Sequence, residues 1–341
     1  MKNPASRFFI KVCVLALCSH ASADPEQEYS AIDFSLRLPS ALTKFSAAGD
    51  VAGIGGASAA SPYASGINPA SIPWTASLEL PFIFSPEYSR IRFDRNPDLR
   101  VGTATASINT RDNGGFQATV SKIDSDESAA LNSMQLNGDY AQIQWGKKIR
   151  DDIAIGGNIN YSDFNTQATM DGFLVADGDS KTRGARAGIL WNASQQLLAG
   201  LVLDVTSADA RTSFLDIDCF CYIPVEEASN SALVRAGINY EYRTLSSIYM
   251  DYLVGRFRNS SQSMITRTLF LGIEHQVFVW LYARVGIAHD FRGGNGKTVG
   301  LGFVPSKNVS VDFAYQEEMF PELLPEFGQA EVLNVSVNFS F

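Results

Sequence analysis

The chain has 341 residues, a formal net charge of −9, 45% hydrophobic residues and a mean hydropathy of −0.02. The acidic balance leaves no basic patch for nucleic acid, and no window approaches about eighteen consecutive apolar residues, so helical membrane spans are excluded. Any membrane-spanning form must then be a closed β-barrel, whose lipid-facing and lumen-facing residues would average to a hydropathy near zero. A soluble β-sandwich would average to the same value, so composition alone does not separate the two.

At the N-terminus, Lys2, Arg7 and Lys11 flank and enter an apolar run from Phe8 to Cys18, and Ala21-Ser22-Ala23 fits a small-x-small cleavage site. This predicts a signal peptide over residues 1–23, with export across an inner membrane. Cys18 invites a lipoprotein reading, but Leu17 before it is large for a lipobox. Residues 24–75 follow as a separate segment rich in Ala, Ser and Gly, most so from Ala47 to Ala60. Such a stretch can be a flexible linker. Its spaced Ile54, Tyr63, Ile67, Ile72 and Trp74 suit instead a segment packed tightly inside a lumen.

Residues 76–341 read as fourteen strand-like segments, near 77–93, 100–109, 115–123, 138–148, 153–164, 182–192, 197–207, 231–243, 247–258, 264–276, 279–291, 297–304, 308–317 and 331–341. Ile153, Ile155, Ile159 and Tyr161 alternate with Asn158, Asn160 and Ser162, the period of a strand with one apolar and one polar face. Connections after even strands are short, as at 150–152. Those after odd strands include long ones, at 124–137, 165–181, 208–230 and 318–330. Short turns on one side and longer loops on the other are the asymmetry of outer-membrane barrels. Arg186, Asp204, Arg235, Glu241, Asp251, Glu274 and Arg284 fall on the polar phase and are expected to line the lumen. Tyr140, Tyr161, Tyr240, Tyr242, Tyr249, Tyr252, Tyr282 and Tyr315 are expected in interfacial girdles.

Cys219 and Cys221 are the cysteines outside the leader, open to a loop disulfide, a metal or free thiols. An i, i+2 bridge would be strained in extended chain. His275 and His289 are expected as lumen or girdle polar groups. No nucleophile elbow, metal-spaced cluster or nucleotide loop is present, so no catalytic residue, metal or cofactor is expected. The chain ends on Leu333, Val335, Val337, Phe339 and Phe341 in strict alternation with polar residues.

The run Gly53-Ile54-Gly55-Gly56-Ala57-Ser58, then Ala60, Tyr63, Ala64 and Asn68-Pro69-Ala70-Ser71-Ile72, resembles the N-terminal plug of FadL-type outer-membrane transporters. The terminal Phe341 resembles the C-terminal signal read by the barrel-assembly machinery. The resemblance implies an all-β, fourteen-stranded antiparallel transmembrane barrel with a plug over residues 24–75 inside its lumen. It implies a monomer in outer-membrane lipid that takes up hydrophobic small molecules, fatty-acid-like or aromatic, without a cofactor. Gly53, Gly55, Gly56, Asn68, Pro69 and Ala70 would then be the substrate and gating residues. Relatives with the same plug motif serve as barrel adaptors in protein secretion, so an adaptor for a secreted or envelope protein is the alternative.

Overall fold

The computed structural model describes residues 49–54, 56–62, 64–75, 81–94, 98–110, 114–125, 133–170, 173–216, 221–259, 263–291, 294–318 and 329–341. The predicted signal peptide lies outside them. Ahead of the sheet come a short helix α1 (Gly49–Gly53), a 3-10 turn (Pro69–Ser71) and a second short helix α2 (Ile72–Thr75). No helix among the described residues is long and apolar enough to cross a membrane.

Fourteen strands follow. They are β1 (Phe82–Phe93), β2 (Leu99–Thr110), β3 (Gly114–Ser125), β4 (Ser133–Arg150), β5 (Ile153–Met170), β6 (Phe173–Ser194) and β7 (Leu197–Asp216), then β8 (Cys221–Arg243), β9 (Ser246–Arg258), β10 (Ser263–Phe278), β11 (Leu281–Asp290), β12 (Gly294–Ser306), β13 (Val309–Glu317) and β14 (Ala330–Ser340). Each pairs antiparallel with its sequence neighbours, and β1 pairs with β14 to close the barrel. At that seam Phe341 N–H donates to the Phe82 carbonyl at 2.8 Å, and the two rings lie 6.0 Å apart. Closure leaves no sheet edge to satisfy, which is the condition for a sheet to sit in lipid.

The alternation dictates which face goes where. Ile143 on β4 is directly opposite Ile159 on β5, and the two are 62% and 65% exposed on the outer wall. The same strands turn Gln142, Gln144, Asn158 and Asn160 inward, where they are buried. An apolar exterior around a polar interior is the inverse of a soluble protein and defines a transmembrane barrel. At the end carrying the short turns, the aromatic girdle combines phenylalanine and tryptophan with the outward-facing Tyr240 and Tyr242. Phe278 stacks on Trp280 at 5.5 Å, and Trp280 on Phe303 at 6.2 Å.

Two expectations are corrected. The stretches 165–181 and 208–230 are not long loops: β5 to β8 run through them, with 18, 22, 20 and 23 residues. A tilted strand needs roughly 9–11 residues to cross a bilayer, so these four rise well above it as one tall wall. Both faces of the rise meet polar surroundings, so Asn165, Gln167, Asp177 and Asp179 break the apolar alternation. Cross-strand pairing supplies what pattern does not, Asn165 opposite Asp179 and Gln167 opposite Asp177. The tyrosines also divide. Tyr161, Tyr240 and Tyr242 are exposed on the outer wall, but Tyr140 and Tyr249 are buried and face inward, and Tyr282 lines the lumen cavity. Their phenolic oxygens find partners inside, as Tyr140 does with Gln142 Oε1.

Candidate functional site

Residues 49–75 and the inner wall meet on a row of glycines. Gly115, Gly146, Gly156 and Gly188 lie directly opposite one another on β3 to β6, and Gly200 lies opposite Gly237 on β7 and β8. The preceding segment occupies the space their side chains would fill. A Cβ on Gly188 would overlap Asn68 Oδ1, one on Gly156 would overlap the Pro69 carbonyl carbon, and one on Gly200 the Ala59 carbonyl. On the far side Gly272 meets the Ile54 carbonyl, and Gly300 would hold a Cβ 2.8 Å from Gly53 Cα. From Gly53 to Pro73 the segment therefore follows the inner circumference from β12 round to β2, where Asn109 Nδ2 donates to the Pro73 carbonyl at 3.3 Å.

The sequence-predicted Asn68-Pro69-Ala70 is the elbow of this path. Pro69 opens the 3-10 turn and holds Asn68 extended at φ −111°, ψ 103°. Fully buried Asn68 then donates from Nδ2 to the Ala59 carbonyl at 2.6 Å and to the Ile189 carbonyl of β6 at 3.2 Å. Its Oδ1 accepts from Ala70 N–H at 3.1 Å, capping the turn. Gly56 adopts φ +75°, the left-handed region open to glycine. Gly55 lies outside the described residues.

Six of the seven predicted lumen charges form three ion-pair clusters. Arg186 meets Asp204 at 2.6 Å, Arg235 meets Asp251 at 2.7 Å, and Arg284 meets Glu274 at 2.6 Å. Arg284 also meets Asp312 at 2.5 Å, a partner the alternation of β13 placed on the right face but that was not singled out. Two clusters hold residues 49–75 directly. Asp251 Oδ2 accepts from Ser58 and Ala59 N–H, both at 2.7 Å, as well as from Arg235 Nε. Arg235 donates on to the Gly56 carbonyl, and Arg186 to the Gly66 carbonyl at 2.6 Å. Thr298 and Gln316 bind the Gly53 and Ala52 carbonyls at 3.0 and 2.9 Å. Charge-assisted bonds of this kind are the strong ones, and a buried arginine that loses its carboxylate is costly.

Glu241 stands apart, in the wall of a cavity of about 420 Å³ on the short-turn side of the segment. That cavity runs along β1, β2, β13 and β14, past Ser85, Thr105, Ser310 and Asn338. At the opposite end of the lumen the inner wall turns apolar, with Phe93, Leu99, Ile123, Leu136, Phe164 and Val332 in one buried cluster. The glycine row was the signal that sequence reading passed over, since each glycine looks unremarkable alone and only the strand register aligns them.

The remaining predicted residues lie away from this junction. Cys221 opens β8 at the top of the tall wall and is disulfide-bonded, whereas Cys219 lies outside the described residues. His275 packs against Tyr242 with Nδ1 2.7 Å from the hydroxyl, and His289 Nδ1 is 2.7 Å from Asn295 Oδ1, both on exposed sites. Among the described residues no group of three or more His, Cys, Asp or Glu is placed to hold a metal.

A closed fourteen-stranded antiparallel barrel, apolar outside and polar inside, is a transmembrane-barrel fold. Solved structures of that architecture superpose on most of the chain. The CymD monoaromatic hydrocarbon channel matches with a TM-score of 0.61 at 14% identity, covering 86% of this chain and 97% of its own. The Pseudomonas putida toluene transporter TodX gives 0.61 at 12% identity, covering 85% and 96%. A Pseudomonas aeruginosa FadL homologue gives 0.54 at 9%, covering 86% and 98%. No family profile and no curated sequence matches the chain.

Proposed function

We propose that the protein is an outer-membrane channel for passive uptake of hydrophobic small molecules, and that residues 49–75 are the plug that gates it. The observation that carries this reading is the seating of the segment, whose carbonyls and amides are held by Arg186, Arg235 and Asp251 beside small apolar contacts such as Ile54 and Ala57 on Tyr249. Hydrogen bonds to a few carbonyls and amides can be exchanged for water one cluster at a time, which gives a closed state that is stable yet releasable. The apolar cluster at the tall-wall end would receive the solute, and exposed Phe173 and half-buried Leu174 at the rim would first capture it. No energy source is needed, because preferential binding to the released state shifts the equilibrium. The channel named for toluene and that named for monoaromatic hydrocarbons share this fold, which supports the solute class.

Phospholipid bilayers pass small hydrocarbons unaided, so the test uses cells with an intact outer membrane. Expression of the full chain should raise uptake of labelled toluene, and removal of residues 49–75 should raise it further while the barrel remains heat-modifiable on gels. Uptake equal to that of non-expressing cells in both cases would refute the channel. It would favour the adaptor reading, which predicts a stoichiometric protein partner instead.

A further inference from the structure

We infer that the outer surface of β9 and β10, at the upper edge of the apolar band, holds the phosphate headgroup of a membrane lipid through Arg256, Arg258 and Arg267. The lipid belongs to the leaflet on the tall-wall side. The inference rests on the outer-membrane placement proposed above and goes beyond the channel reading.

Strand register fixes the height of these arginines. Ile159, Ala185, Val205 and Ala232 form one outward row of directly opposed residues across β5 to β8, and the row continues to Arg256 and Ile265. The next row up is polar, with Arg183, Ser207, Asn230, Arg258 and Ser263. Arg267 lies opposite Val254, and its carbonyl accepts from Phe291 N–H at 3.0 Å. Hydrocarbon therefore gives way to headgroups between these rows. Tyr252 and Phe291, with rings edge to face at 6.2 Å, mark the same boundary. Arg256 and Arg258 are two residues apart on one face of β9, roughly 7 Å, and Arg267 is the diagonal neighbour of Arg256 at a similar spacing. Three guanidinium groups can then share one phosphate, whose oxygens suit their planar forks.

No carboxylate answers this charge. Between residues 252 and 311 the acidic residues are Glu274, which binds Arg284 in the lumen, and Asp290, which is buried. Outward carboxylates on other strands have cations of their own: Asp209 faces Lys181, Glu226 meets Arg211 at 3.2 Å, and Glu317 faces Lys297. Among the described residues none of the three arginines forms an ion pair, and Arg256 Nε has a hydroxyl partner, Ser263 Oγ, at 3.4 Å. Lys122 and Lys181, by contrast, each meet an aspartate at 3.9 Å. Exposed arginines hold a free anion weakly, because water and salt screen them. A lipid brings its phosphate to this height and lays its chains on Val254, Ile265 and Ile287, all exposed.

The experiment titrates the purified full-length protein in detergent with dimyristoyl phosphatidic acid, dimyristoyl phosphatidylcholine or inorganic phosphate, and counts retained molecules by native mass spectrometry. Phosphatidic acid should be retained about tenfold or more over phosphatidylcholine, and excess inorganic phosphate should not displace it. R256Q, R258Q and R267Q should each weaken retention about fivefold, whereas K122Q and K181Q should leave it unchanged. Heat-modifiable mobility checks that each variant is folded. Equal retention of the two lipids by the unaltered protein overturns the inference, independently of any variant, and so does displacement by inorganic phosphate. Unchanged retention in all three folded arginine variants overturns it, as do equal losses in K122Q and K181Q, which would assign the attraction to net charge. Membrane fractionation of cells reads the placement separately. A barrel absent from the outer membrane that still prefers phosphatidic acid keeps the site and loses the placement; one in the outer membrane without that preference loses the site alone.

Discussion

Removing the Asp251 carboxylate is the sharpest test of how the pre-barrel segment is held. One oxygen accepts three donors, from Ser58 N–H, Ala59 N–H and Arg235 Nε, all at 2.7 Å. In D251A the Arg235 side chain, 7% exposed, is left without its carboxylate, a change that costs about 3–5 kcal/mol. The two amides add roughly 1 kcal/mol or more each if they stay dry. These terms share one acceptor and are not additive, so about 3–5 kcal/mol is the working figure for loosening the segment. At about 1.4 kcal/mol per decade this raises the released population on the order of a hundredfold to a few thousandfold. Amide hydrogen exchange at Ser58 and Ala59, measured in detergent, reads that population directly when reclosing is fast. Heat-modifiable mobility checks that the barrel survives. Unchanged exchange at both amides in an intact D251A barrel would refute the reasoning, since the segment would then be held by something other than this cluster.

Other outcomes follow from the same geometry. In G200V a branched side chain meets the Ala59 carbonyl, so a cysteine placed at Ser58 should become reactive to a water-soluble maleimide while the barrel still migrates as folded. R186A strips Asp204 of its 2.6 Å partner and the Gly66 carbonyl of its donor; the thermal transition of the barrel should fall, consistent with a loss of about 3–5 kcal/mol, and R186K should recover only part of it because the lysine cannot fork. Deleting Phe341 removes the hydrogen bonds and ring contact with Phe82 at the seam, so the fraction of chain reaching the heat-modifiable form in cells should drop, with normal levels arguing against an assembly role.

Strand number, closure order and facing were legible because lipid imposes a period of two on every crossing, and β14 shows it without interruption from Leu333 to Phe341. The tall wall was not legible, because above the membrane neither face of β5 to β8 has to be apolar and the constraint that writes the pattern is gone. Lumen charges were readable by phase, yet their pairing was not. Arg284 bridging Glu274 and Asp312 depends on three strands being brought into register. The Asn68 elbow was visible as a turn starter, but that its amide would cross to the Ile189 carbonyl is a fact of the closed barrel. Tyr249 reads as a girdle residue by sequence and packs instead against Ile54 and Ala57.

The closing pair of strands has a consequence for the order in which the molecule is made. Every strand pairing except β1 with β14 joins sequence neighbours, so hairpins can form as the chain becomes available. The last pairing brings together groups 253 positions apart, as in the 2.6 Å bond between Ser85 and Asn338. Loop-closure entropy and contact order make that step late. The segment from Gly53 to Pro73 is made before any strand yet ends up encircled by them, and its contacts run from Thr298 on β12 to Asn109 on β2. The wall that closes last, at β1 and β14, therefore closes around chain that precedes every strand.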